Sequence, residues 1–125
     1  FNFLITCPPY WRLEQYGGGD ADLSEAADYA SYREGIQRTL IWTREVLAPD
    51  ALAVWVVGNY LEDDEYVDIQ ADLSCSARAL GWALHDTAVL SRVGIGSATR
   101  RVGSMARSKR LVRVHEYVIV LRRKS

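Results

Sequence analysis

Two consecutive prolines, Pro8 and Pro9, set the tightest limit on how this chain can fold. They follow a short apolar run, Phe1-Asn2-Phe3-Leu4-Ile5-Thr6, whose β-branched Ile5 and Thr6 suit an extended backbone. The run predicts a buried strand. Proline lacks the backbone N–H and fixes φ, so the doublet cannot continue a central strand and instead forms a stiff, extended exit from it. Tyr10 and Trp11 come next. A rigid turn that carries aromatic faces at the carboxyl end of a strand is suited to holding a flat, π-faced substrate.

Beyond this corner, Arg12 to Ser24 contains Gly17-Gly18-Gly19-Asp20 and reads as a loop. Tyr29, Tyr32, Ile36, Leu40, Thr43 and Leu47 recur at spacings of three and four, which predicts a helix over about 26–47. Pro49-Asp50 ends it. Ala51 to Val57 is a continuous apolar run closed by Gly58-Asn59, the mark of a strand covered on both faces, as in a parallel sheet. The acidic run Glu62-Asp63-Asp64-Glu65 reads as a solvated entry to a second helix over about 66–80, with Val67, Ala71, Cys75 and Leu80 in line and Gly81 as its stop. A third strand is expected over 82–90, a glycine- and arginine-rich loop over 91–110, and a last strand over 111–121.

The expected order is β-α-β-α-β-β in a single α/β domain spanning residues 1–125. Crossover connections make the first three strands parallel neighbours, and the last two can pair as a long-looped antiparallel hairpin. Ligands of such sheets bind outside the carboxyl ends of the strands. The Pro-Pro corner and the Gly58-Asn59 exit both fall at that rim.

Charge is divided along the chain. Residues 1–90 carry five arginines against fifteen acidic residues, whereas residues 91–125 carry ten basic residues against Glu116 alone. Arg92, Arg100, Arg101, Arg107, Lys109, Arg110 and Arg113 are interleaved with glycines and serines. That pattern suits contact with a polyanion, with balance against the acidic half as the alternative. No apolar run approaches the roughly 18–20 residues of a membrane helix. Cys7 and Cys75 are far apart and show no CxxC spacing, so they read as free thiols in a reducing cytoplasm. Together with His85 and His115 they match no zinc-ligand pattern, and no metal is expected. His115 and Glu116 alternate on a strand, so only one of them is expected at any one site.

Taken in order, these landmarks resemble those of the S-adenosylmethionine-dependent DNA amino-methyltransferases, in particular prokaryotic and phage members. That family carries a strand ending in Asp/Asn/Ser-Pro-Pro-aromatic, matched here by Thr6-Cys7-Pro8-Pro9-Tyr10-Trp11. The helix stop Leu47-Ala48-Pro49, the strand Val54 to Asn59, the entry Gly81-Trp82 and the closing His115 to Lys124 follow in the same order. The resemblance implies a partial Rossmann-like methyltransferase sheet with a C-terminal antiparallel strand. It implies methyl transfer from S-adenosylmethionine to adenine N6 or cytosine N4 of DNA, as in restriction–modification. Cys7, Pro8, Pro9 and Tyr10 would be catalytic, Thr6 and Asn59 would face the cofactor, and the basic loop would lie on the DNA backbone.

Two departures stand out. Cys7 replaces the usual Asp, Asn or Ser, and a thiol is a weak acceptor. The family's glycine-rich cofactor turn is absent: Gly17-Gly18-Gly19 follows the Pro-Pro strand and no apolar strand leads into it. The chain is therefore expected to be a fragment, with the cofactor-binding half or a partner subunit supplied separately. RNA bases, a protein glutamine amide, or binding to DNA or a partner without catalysis remain the alternative functions.

Overall fold

A computed structural model describes residues 1–91, 109–111 and 113–125. Its main sheet has four strands: β1 (Phe3–Thr6), β2 (Leu52–Val57), β5 (Trp82–Ser91) and β6 (His115–Arg123), in the order β1-β2-β6-β5. The hairpin of β3 (Tyr60–Glu62) and β4 (Glu65–Val67) stands apart from it. Helix α1 (Tyr29–Val46) joins β1 to β2, and α2 (Ile69–Ala79) leads from the hairpin to β5. The molecule is a mixed α/β fold with one parallel pair.

Among the described residues only β1 and β2 are hydrogen-bonded parallel neighbours. Of the expected three adjacent parallel strands the common direction holds and the adjacency is corrected, because β6 is inserted between β2 and β5 and runs antiparallel to both. The expected antiparallel pairing of the last two strands is present, with a register shift between Leu84 and Asp86.

The helices form where the apolar spacing asks for them. In α1 the stripe Tyr32, Ile36, Leu40 and Thr43 is buried, and Leu47 behind it is 2% exposed. Asp28 caps its start by accepting from the Ser31 N–H at 2.7 Å. In α2 the buried line is Ile69, Leu73, Ser76 and Ala77 rather than the expected Val67, Ala71, Cys75 and Leu80; Val67 belongs to β4 and Cys75 is exposed. The acidic run is a tight turn and not a helix entry. Asp63 and Asp64 sit at φ 46° and 69°, a pair of left-handed residues that matches the twist of a two-residue hairpin.

The core lies between the helices and one sheet face. Ala53, Trp55 and Val57 of β2 and Ile119 and Leu121 of β6 are fully buried there with Leu40 and Trp82. The opposite face is more open. On β1 the burial expected of a central strand is not found, since Phe3 and Ile5 are 58% and 66% exposed. Among the described residues its sole ladder partner is β2, so there β1 is an edge strand.

Candidate functional site

The chain leaves β1 at the rim where β1 and β2 end. Cys7 is exposed, Pro8 buried and Pro9 half-buried. Each neighbouring element holds the corner at a different point. From α1, the Tyr32 hydroxyl donates to the Pro9 carbonyl at 2.9 Å. Pro8 is buried, and neither it nor Cys7 is among the residues that line the rim pocket. Trp11 takes a left-handed φ of 49°, a conformation that costs a non-glycine residue on the order of 1 kcal/mol. Its Nε1–H donates to the Ala26 carbonyl at 3.0 Å, its ring centroid lies 5.3 Å from that of Tyr29, and the Arg12 guanidinium covers its face at 4.7 Å. Trp11 is thus a packed anchor of the corner.

Tyr10 is the side chain that turns toward the rim pocket. This hollow of about 210 Å³ is lined by Tyr10, Leu13 and Gly58-Asn59-Tyr60, with Arg113 to Glu116 opposite. The Tyr10 hydroxyl donates to Glu116 Oε1 at 2.7 Å and lies 3.6 Å from Cys7 Sγ. Burial, helped by these bonds, pushes its pKa well above the ordinary phenol value, so Tyr10 stays neutral. The ring packs against β2's exit so closely that a Cβ at position 58 would sit 2.9 Å from Tyr10 Cε2. Gly58 is required by that approach. Tyr10 is only 7% exposed, so it is a wall of the pocket and not an open platform.

His115 and Glu116 both line the pocket, which corrects the expectation that only one could. The alternation itself holds: the His115 ring sits edge-on to Tyr117 at 5.0 Å, while the Glu116 carboxylate turns to Tyr10. At a strand's mouth, successive residues can still border one hollow. Nothing in the sequence announces the Tyr10–Glu116 bond, whose partners are 106 positions apart.

Asn59 and Thr6 were the residues expected to face a cofactor. Asn59 Nδ2 donates to the Tyr66 hydroxyl at 3.0 Å and to Asp68 Oδ1 at 2.7 Å, and its Oδ1 accepts the Gln70 N–H at 2.9 Å. It braces β2's exit against the start of α2. Thr6 ends an edge strand, half-buried and paired with Trp55. One hydroxyl and one engaged amide do not build a seat for S-adenosylmethionine, so the described residues alone do not fit that cofactor.

Of the basic residues, Arg92, Arg100, Arg101 and Arg107 lie outside the described residues. Arg110 pairs with the Asp64 carboxylate at 3.1 Å and also donates to the Asp64 carbonyl, which ties it to the hairpin turn. The Arg113 guanidinium stands 5.5 Å over the Tyr66 ring, and Arg113 borders the rim pocket. Lys109 is exposed. A larger hollow of about 680 Å³ runs beside α1, lined by Asp20, Asp22, Arg38, Thr39 and Trp42 among others. Asp22 there serves its own loop, accepting from the Ser24 and Gly18 N–H groups at 2.8 and 3.0 Å.

No protein family and no curated protein matches this sequence. Solved structures do match it. TTHA0409 from Thermus thermophilus, described as a candidate DNA modification methylase, superposes with a TM-score of 0.69 at 18% identity, over 99% of this chain and 45% of its own. The same protein complexed with S-adenosyl-L-methionine gives 0.69 at 19% identity, over 99% and 48%. The M1.HpyAVI–SAM complex gives 0.59 at 10% identity, over 98% and 44%. The likeness establishes a methyltransferase-like fold. The chain spans a little under half the length of these structures.

Proposed function

We propose that this chain forms the target-amine half of an S-adenosylmethionine-dependent DNA methyltransferase that modifies adenine N6 or cytosine N4. One observation carries the reading: the Pro-Pro corner lies at the carboxyl rim of a methyltransferase-like sheet, with its tyrosine walling a pocket of about 210 Å³ there.

An exocyclic amine is a poor nucleophile because its lone pair is delocalised into the ring. Acceptors placed to take both of its N–H bonds draw the nitrogen toward tetrahedral geometry and localise that pair. The Pro8 carbonyl would be one acceptor, fixed by the backbone; Tyr32 takes the Pro9 carbonyl instead. Cys7 Sγ is the other. The Tyr10 ring would border such a base as the pocket wall and not as a stacking platform. A base in a duplex must be extruded to reach it. S-adenosylmethionine would supply the electrophilic methyl. Arg113 at the pocket edge, together with Lys109 and Arg110, and with Arg92, Arg100, Arg101 and Arg107, would meet backbone phosphates.

Tritium transfer from labelled S-adenosylmethionine tests the reading, using the protein expressed from its full reading frame. Label is expected on DNA and not on RNA or protein glutamine. Label confined to RNA or protein would replace the substrate. Binding of DNA with no transfer to any of them would favour the second reading, a non-catalytic DNA- or partner-binding segment.

A further inference from the structure

We infer that Glu116 is a positioning residue that, through the Tyr10 hydroxyl, turns Cys7 into a hydrogen-bond acceptor for the target amine. The inference rests on the corner being the amine site, and it accounts for a thiol standing where a stronger acceptor is usual.

The direction of the hydrogen bonds follows from counting protons. A carboxylate can only accept, and Tyr10 carries a single O–H. The 2.7 Å separation from Glu116 Oε1 is that of an O–H···O⁻ bond, so the phenol proton belongs to that contact. By distance alone, either atom of the Cys7–Tyr10 contact at 3.6 Å could donate. With the phenol proton committed to Glu116, Cys7 must be the donor. Its S–H points inward to Tyr10 Oη, and the sulfur lone pairs are left for the exposed side of Cys7.

An exocyclic amine approaches as a donor. It meets lone pairs if the thiol proton is turned inward and a hydrogen if that proton is turned outward. Without Glu116 the phenol is free to donate to sulfur, which occupies a lone pair and releases the S–H toward the base. Three elements build the arrangement: the exit of β1 supplies Cys7 and Tyr10, β6 supplies Glu116, and Gly58 of β2's exit lets the ring come close enough.

The experiment compares Tyr10→Phe, Glu116→Ala and Glu116→Gln in two backgrounds, wild type and Cys7→Asn, whose amide oxygen is an acceptor by itself. In the wild-type background Tyr10→Phe and Glu116→Ala should lower kcat by about tenfold with KM for DNA unchanged, the loss of one hydrogen bond. Glu116→Gln keeps an acceptor and should restore most of the rate. In the Cys7→Asn background the same changes should cost less than about twofold. A second readout needs no turnover: the infrared S–H band of Cys7, isolated by Cys75→Ser, should shift toward that of a free thiol on Tyr10→Phe. Equal losses in both backgrounds, or an unmoved band in a protein that transfers methyl groups, would overturn the role of Glu116. No transfer by the wild type, with the band shifting as described, would instead overturn the reading of the corner.

Discussion

The exits of β1 and β2 lie side by side at the same rim and share a boundary where Tyr10 packs on Gly58, yet they use their polar groups in opposite ways. After β2, Asn59 commits both ends of its amide to Tyr66, Asp68 and the Gln70 N–H. After β1, the Pro9 carbonyl is taken by Tyr32, but Cys7 is exposed. One exit is tied into the fold through its amide, and the other leaves Cys7 exposed at the rim. Position at a strand's carboxyl end therefore does not identify a ligand-binding residue; what matters is whether its hydrogen-bonding groups are already satisfied inside the fold.

Substitutions can break or sharpen this contrast. The largest effect is expected at the shared boundary. In Gly58→Val the new Cβ falls 2.9 Å from Tyr10 Cε2, so the ring must move. Overpacking of this kind costs about 1–3 kcal/mol in urea unfolding, and here methyl transfer should be lost with it. Next, Asn59→Ala should cost about 2 kcal/mol by leaving its partners unsatisfied, while methyl transfer per folded molecule stays near wild type. A loss of transfer beyond the loss of folded protein would make Asn59 a ligand residue and erase the contrast. Smaller again, Arg110→Ala removes an exposed pair with Asp64 and should change stability by less than about 1 kcal/mol. If Arg110 also meets a phosphate, the slope of log affinity against log salt should fall by about one.

The smallest effect concerns acid. The Ser31 N–H bond holds the exposed Asp28 carboxyl below its usual value. The stabilisation is present above the ordinary carboxylate range and is lost as pH falls through the lowered value. Asp28→Asn keeps a capping oxygen without a titrating group, so the acid limb of its unfolding profile should be shallower than that of wild type.

Much of this architecture could be read from local pattern. The α1 stripe from Tyr32 to Leu47 follows from a spacing of three and four, and the β2 run from its apolar continuity. The proline doublet marked the end of β1 because its effect on the backbone is local. What escaped was set by distant partners. Phe3 and Ile5 look like core residues and are exposed because they lie on the sheet face opposite the core, in register with Leu52 and Val54, which β1's own composition does not reveal. The place of β6 between β2 and β5 is a pairing across long sequence separations. The run of four acidic residues concealed a turn, since Asp63 and Asp64 signal charge more loudly than tolerance of positive φ. In the site, Cys7 to Tyr10 were legible as a corner. Glu116 as the holder of Tyr10 was not, because no spacing rule links residues on separate strands and loops.

The most direct test is nucleoside mass spectrometry of DNA from a methylation-free host expressing the full reading frame, with wild type compared against Tyr10→Ala and Asn59→Ala at matched amounts of folded protein. N6-methyladenine or N4-methylcytosine should be found with wild type and Asn59→Ala and fall by about tenfold or more with Tyr10→Ala, which removes the pocket wall and its hydrogen bond to Glu116. DNA free of both bases in the wild-type strain, or a Tyr10→Ala protein that modifies DNA as fully as wild type, would contradict the assignment of the Pro-Pro corner as the site where the amine is methylated.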